Sequence, residues 1–250
     1  MNTIENILSH RSCREFTERP VDKEVLDTIL RCAANGSSMG GMQLFSIVVT
    51  QDKDMMRKMA PLHFNQPIAT NAPLILTFCA DFYRFDRYCE CREVPTDAYQ
   101  NLQAYHWAMT DALIAAQNAC VAAEDQGLGL CWLGTIIYNA PQFIEILQLP
   151  KHVVPVACIA MGYPATEVAL TPKLPVNALV HHESYSEYTD SDIDKMYRYL
   201  EEAPHNASAV RENGTGNLAR DYVERRYRKA DNEYFSDLLL KCIKEQGFDI

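Results

Sequence analysis

The stretch AYQNLQAYHWAMTDALIAAQNACVAAEDQ, residues 98–126, carries apolar side chains on nearly every helical face, with Leu102, Tyr105, Met109, Leu113, Ala116 and Cys120 as one stripe among several. A helix apolar all round belongs at the centre of a fold or in a subunit interface, so the rest of the chain is expected to be arranged about it. Short apolar runs with β-branched residues and polar or turn-forming bounds lie on either side, at 44–50 and 74–80 before it and at 130–138 and 153–162 after it. They read as buried strands.

Helices fill the intervals. Asn2 and Glu5 make a capping box with Ile4, Ile7 and Leu8 on one face, so a short helix should end near His10. Asp22 is an N-cap for a helix carrying Val25, Leu26, Ile29, Leu30 and Ala33, stopped by Asn35-Gly36 and followed by a Gly-Ser loop over 36–41. Another helix is expected over 141–149 after Asn139, and extended chain over 164–175, which holds three prolines. Beyond residue 190 charge density rises, with helices expected at 190–202 and 217–246 joined by a polar, Gly-containing loop over 204–216. Strands interleaved with helices, not always separated by a helix-sized crossover, predict an α+β fold with a mixed central sheet. The chain is expected to divide into a domain over 1–190 and a helical C-terminal extension over 191–250, packed on the core or on a second protomer.

Composition bounds the partners. Of the 250 residues, 48% are hydrophobic and 22% charged, the balance of a globular chain with a real core. Lys and Arg total 23 against 33 Asp and Glu, a formal charge of −10, so the overall field repels polyanions and no nucleic-acid partner is expected. Any phosphate site must be a local basic cluster. The opening residues lack a basic stretch followed by an apolar run, and no apolar stretch has a membrane-spanning length of about 18 residues; a cytoplasmic protein with no membrane partner is expected. The nine cysteines, odd in number and scattered, several in apolar runs such as LILTFCA and VACIAMG, read as buried free thiols.

His10-Arg11-Ser12-Cys13-Arg14 places three potential cations and a hydroxyl together in this acidic chain. Alone, the pentapeptide reads first as a solvated basic turn, with an anion site as the other reading. Three further segments follow in order: Ser37-Ser38-Met39-Gly40-Gly41-Met42-Gln43 before a strand, Gln126-Gly127-Leu128-Gly129-Leu130-Cys131-Trp132-Leu133-Gly134-Thr135, and Pro172-Lys173-Leu174-Pro175. With His-Arg-Ser-x-Arg, and with Gln66 shortly before the strand ending in Phe78-Cys79-Ala80-Asp81, the set resembles the FMN-dependent nitroreductase family, above all its oxygen-insensitive branch, over roughly residues 2–190.

The resemblance implies a nitroreductase-like fold in an intertwined homodimer that binds FMN and takes electrons from NADPH or NADH. His10, Arg11 and Ser12 then hold the phosphate and ribityl chain, and Arg14 reaches the N1/O2 edge of the ring. There its charge stabilises the reduced anionic flavin, so a neutral residue at 14 should impair reduction more than folding. Gln66 maps to the pyrimidine edge, the amides of Leu133, Gly134 and Thr135 to O4 and N5, and Lys173 to the phosphate. Ser38 and Gln43 map to a loop meeting the flavin of the other protomer. On the residues alone, Gln66 is also a plain loop glutamine and Gly134 a strand bulge. Two departures stand out: Gly41 replaces the family's usual asparagine, and Thr171-Pro172-Lys173 replaces Lys-Pro-Arg, so Lys173 offers the phosphate only a point charge.

Cys89-Glu90-Cys91 lacks the companion ligands of a metal site and reads as loop, and the adjacent side chains of His181-His182, followed by Glu183, diverge in most backbones, which argues against a metal there. No nucleophile elbow, zinc helix or P-loop occurs; flavin chemistry needs no protein nucleophile or acid–base dyad. The leading expectation is an FMN-dependent NAD(P)H oxidoreductase passing hydride to nitroaromatic or quinone-like acceptors by a ping-pong cycle. The alternatives are a flavin reductase of the same family and a flavin-binding sensory module whose tail engages a partner. Arg225, Arg226 and Arg228 read as a solvated helix face or as a site for the 2′-phosphate of NADPH.

Overall fold

Every residue of one strand, Leu74–Asp81, is buried, and this run is the centre of the fold. The computed structural model describes residues 2–250. Its sheet runs in the order β1-β2-β4-β3, with β1 Phe45–Thr50, β2 Leu74–Asp81, β3 Gly129–Trp132 and β4 Val153–Gly162. All three ladders are antiparallel, with Phe45 opposite Ala80, Leu74 opposite Met161 and Gly129 opposite Gly162, and a bulge between Phe78 and Cys79. Among the described residues, parallel pairing is confined to two isolated bridges, Ser12 with Leu130 beside β3 and Asn101 with Asp249.

β2 reads as a continuous apolar run because both faces are covered. Side chains alternate along a strand, so Leu74, Leu76 and Phe78 pack on one face while Ile75 packs on the other. The first face meets α2, Lys23–Ala34, and α6, Leu102–Asp125, through Leu26, Ile29, Ala112, Ala115, Ala116 and Ala119. Alanines at this contact bring the helix backbone close to the sheet, so enlarging one would overpack it by about 1–3 kcal/mol. The second face meets Met56 and Met59 of α3, Lys53–Met59, and Phe143 of α7, Ala140–Ile146. Between them in sequence lie α4, Ile68–Asn71, and α5, Tyr83–Glu90; α1 is Thr3–Leu8 and carries the expected capping box.

The tail contains α8, Asp190–Glu201, α9, Pro204–Asn213, α10, Leu218–Asp221, and α11, Lys229–Glu245. Four expectations are corrected here. Residues 204–216 are mostly helix, not loop: Pro204 starts α9 with a preset φ, and Gly214, at φ 64°, ends it by donating to the carbonyls of Arg211 and Val210. The single helix expected over 217–246 is broken, since α10 passes into a π turn, Tyr222–Arg226, and Tyr227 leaves helical geometry at φ −132°. Cys89 and Cys91 stand at the end of α5 rather than in a loop, Cys89 buried and Cys91 at its C-cap. The strand expected over 130–138 ends at Trp132, and a 3-10 turn, Gly134–Ile136, follows.

The chain up to Ala169 together with Phe235–Ile250 forms one compact unit, and Leu170–Tyr234 forms a second. In the first, Ile243 and Phe248 close a cluster with Leu44, Ala80, Phe82 and Tyr105. In the second, the buried Asp221 accepts from Asn213 Nδ2 at 2.7 Å and lies 2.6 Å from Arg226 Nε. Among the described residues no helix is long and apolar enough to cross a membrane.

Candidate functional site

The basic pentapeptide is a strip along the sheet edge. The Cys13 amide donates to Leu130 O at 2.8 Å, the Thr17 amide to Tyr163 O at 2.8 Å, and the Ala165 amide to Glu15 O at 3.0 Å, so residues 12–17 run beside β3 and the chain after β4. Cys13 points inward so closely that a Cβ on Gly129 would lie 2.6 Å from its own, and only glycine fits there. Burial raises the pKa of the Cys13 thiol, which acts as a small core group.

Its cations face different surroundings. His10 Nδ1 lies 2.6 Å from Glu124 Oε1 on α6, which fixes the imidazole and leaves Nε2 on the far side. Arg11 donates from Nε to Ser9 O at 3.1 Å and from Nη1 to Val168 O at 2.9 Å. Ser9, Arg11, Glu124, Gly129 and Thr166 line a cleft of about 270 Å³. Arg14 is exposed, has no carboxylate partner among the described residues, and shares a cavity of about 700 Å³ with Phe16, Gln66 and Asn71. The Cys131 thiol is pushed up by burial, partly offset by the Arg14 charge beside it.

Beside this cavity two segments distant in sequence are fastened together. His63, fully buried at the end of a 3-10 turn, has Nδ1 2.6 Å from Thr135 Oγ1 and Nε2 3.8 Å from Cys158 Sγ, with its ring 4.8 Å from that of Phe143. Burial lowers the His63 pKa to about 4, so the ring is neutral near neutral pH. Asn139 Nδ2 donates to Leu62 O at 2.7 Å, and the Leu133 amide to Cys158 O at 2.7 Å. Leu133 and Thr135 are thereby buried and fixed, while Gly134 between them is exposed. A Cβ added at Gly134 would meet nothing within 4 Å, and its φ is not positive, so neither packing nor backbone calls for glycine there. Open space over a rigid glycine suits a flat group laid against the backbone.

The loop carrying Ser38 and Gln43 lies elsewhere. It leads into β1, the edge strand opposite β3, and three interstrand spacings put the two edges about 14 Å apart. Asp111, buried in the middle of α6, accepts from the Met39 amide at 2.8 Å and the Leu44 amide at 3.0 Å. Arg84 donates to the carbonyls of Gln43 and Phe45. Gln43 itself is held at φ 52° with Nε2 on Ala34 O at 2.9 Å. A single chain therefore brings Arg14 and Gln66 to one cavity but leaves Ser38 and Gln43 at the other edge. Lys173 is exposed on irregular chain in the second unit. There Arg226 is paired with Asp221 and Arg228 lies 2.7 Å from Asp231, whereas Arg225 donates to the Asn213 carbonyl at 3.4 Å and has no carboxylate partner among the described residues. His181 accepts from the Ser186 amide at 3.1 Å and lies 2.9 Å from Tyr188 OH, so both ring nitrogens are engaged.

Asp111, Glu124, His63 and Arg84 escaped the sequence reading. Asp111 left a signal, a lone carboxylate amid apolar helical faces, which needs a partner when buried. The partners of the other three are not visible from sequence spacing.

Residues 7–163 match the model of the nitroreductase family. An FMN reductase (NADPH) of Bacillus subtilis is 32% identical over 98% of this chain and 92% of its own length. An oxygen-insensitive NADPH nitroreductase of Salmonella typhimurium is 31% identical, covering 98% of each. Among solved structures, the NADPH:FMN oxidoreductase of Vibrio harveyi complexed with NAD+ superposes with a TM-score of 0.83 at 26% identity, covering 99% of this chain and 98% of that one. The chain belongs to the nitroreductase family.

Proposed function

We propose that the protein is a homodimeric, cytoplasmic FMN-dependent oxidoreductase that takes hydride from NADPH or NADH and delivers it to a quinone-like or nitroaromatic acceptor. The observation that carries this is the meeting of Arg14 and Gln66 in one cavity, beside a glycine left open over the rigid 133–135 segment. Bound FMN would supply two-electron chemistry, hydride in from the nicotinamide and hydride out to the acceptor, with a proton from water completing, for example, quinone to hydroquinone.

The chain's residues bind and orient. Arg14, free of a carboxylate, would set a positive charge against the N1/O2 edge of the bound ring, where it would favour reduction. Gln66 would offer an amide to the pyrimidine edge, and since the Leu133 amide is taken by Cys158 O, the amides of Gly134 and Thr135, on the segment fastened by His63, would serve O4 and N5. The Nε2 of His10, the outer edge of Arg11 and Ser12 would take the phosphate and ribityl chain, with Glu124 orienting His10. Ser38 and Gln43 of the partner subunit complete the pocket, since those of the same chain lie at the far sheet edge. In this reading residues 1–190 carry the flavin and 191–250 form the helical extension, within which Arg225 is the arginine of its run left without a carboxylate.

An absorbance spectrum of the purified protein, followed by anaerobic titration with NADPH, tests cofactor and reaction together. The expected result is a yellow protein that bleaches; a colourless protein that ignores added FMN would remove the proposal. The name of the Bacillus subtilis relative favours a second reading in which free flavin is the acceptor. Steady-state rates with free FMN and with a quinone at matched concentrations separate the two.

A further inference from the structure

Phe64 occupies a position that the backbone reserves for glycine. Its φ is 54°, that of Asn65 is 53°, and the tight turn is held by the Phe64 amide on Pro61 O at 3.0 Å and the Asn65 amide on Ala60 O at 2.8 Å. A bulky residue in the left-handed region costs on the order of 1 kcal/mol. The ring is 52% exposed, so burial returns little of that cost. Neither the core nor the turn accounts for a phenylalanine here, and strain of this kind collects at functional sites.

The ring is nevertheless placed. Its centroid lies 6.3 Å from Tyr138 and 6.2 Å from Phe235, and those two stack on each other at 4.6 Å with planes 23° apart. Three segments thus contribute one aromatic cluster, and Phe64 is its most exposed member. The cluster adjoins the proposed cofactor site through its own chain: Phe64 precedes Gln66 by two residues, Tyr138 follows Thr135 by three, and the His63–Thr135 and Asn139–Leu62 bonds fasten these segments beneath it.

We propose that Phe64, with Tyr138 and Phe235, is a stacking shelf for the planar acceptor and determines its specificity; this rests on the flavin-dependent function proposed above. Quinone and nitroaromatic rings have electron-poor faces, which favour offset stacking on the electron-rich faces of phenylalanine and tyrosine. A compact inorganic oxidant has no face to stack and gains nothing from the shelf. The chain therefore selects flat aromatic acceptors over compact inorganic ones.

The test is Phe64→Gly, which removes the ring and supplies the residue the turn prefers, so folding is retained. With FMN-loaded protein, KM for a naphthoquinone and for a nitrofuran should rise about 3–10-fold, the worth of one aromatic pair. KM for ferricyanide and the rate of flavin bleaching by NADPH should not change, and Phe64→Trp should keep KM for the aromatic acceptors near or below the native value. Unchanged KM for both aromatic acceptors, or an equal rise with ferricyanide, overturns the shelf while the flavin function stands. Native protein that neither binds FMN nor is bleached by NADPH overturns both together.

Discussion

His63 Nδ1 lies 2.6 Å from Thr135 Oγ1 in a site closed to solvent, joining the turn before Gln66 to the segment that exposes Gly134. Burial holds the His63 pKa near about 4, below its ordinary 6.5. The unfolded chain takes up a proton as pH falls through about 6.5, whereas the fold does not until about 4, so stability is full above that window and declines through it. The whole effect is on the order of 3 kcal/mol, of which about 2 kcal/mol is lost by about pH 5. Urea unfolding of the native protein and of His63→Gln at about pH 7.5 and about pH 5 measures it. The variant should be the weaker at the higher pH and the gap should narrow at the lower; parallel losses would show that His63 does not set the dependence.

Gly134 separates a binding role from a structural one. A Cβ there meets nothing in the chain, and alanine in a turn of ordinary φ restricts the unfolded state. Gly134→Ala should leave Tm unchanged or slightly raised while FMN affinity falls about 10-fold or more, about 1.4 kcal/mol of lost approach. Fluorescence titration with FMN alongside a thermal melt checks both; a drop in Tm with unaltered affinity would make Gly134 structural.

Asp111 acts on the opposite edge. Its carboxylate caps the Met39 and Leu44 amides from inside an apolar helix, so Asp111→Ala leaves two amides unpaired and should cost about 3 kcal/mol. Asp111→Asn keeps one acceptor and should cost about half as much. Denaturant midpoints rank the three proteins, and an alanine variant as stable as the native chain would refute the role.

Much of this was legible. The four strands, α2, α6 and the Asn2–Glu5 capping box follow from local periodicity and cap chemistry, which residues a few positions apart decide among themselves. α9 was hidden by polar composition although Pro204 and Gly214 marked both its ends. Beyond local reach lay Asp111 holding residues 39 and 44, His63 meeting Thr135, and the placing of Ser38 and Arg14 at opposite sheet edges. Motif order groups residues into one site without telling which protomer supplies each, because strand order is a property of the folded sheet.

That division between protomers yields the last prediction. Arg14 lines the cavity beside β3, and Ser38 and Gln43 stand beside β1, so a dimer with sites across its interface builds each pocket from the Arg14 of one chain and the loop of the other. Arg14→Ala should slow flavin reduction about 10-fold or more through loss of charge at the ring edge, while an exposed side chain without an ion pair leaves stability nearly intact. The double variant Ser38→Ala, Gln43→Ala should weaken FMN binding from the other side. Mixed dimers of these two chains, isolated by differential tags, then contain one pocket with both defects and one with none. Their rate of flavin reduction should return to about half that of the native dimer, well above either parent homodimer. If each chain built its pocket alone, every pocket in the mixed dimer would keep one defect and the rate would stay at the parents' average, so the mixed dimer decides whether the loop acts in trans.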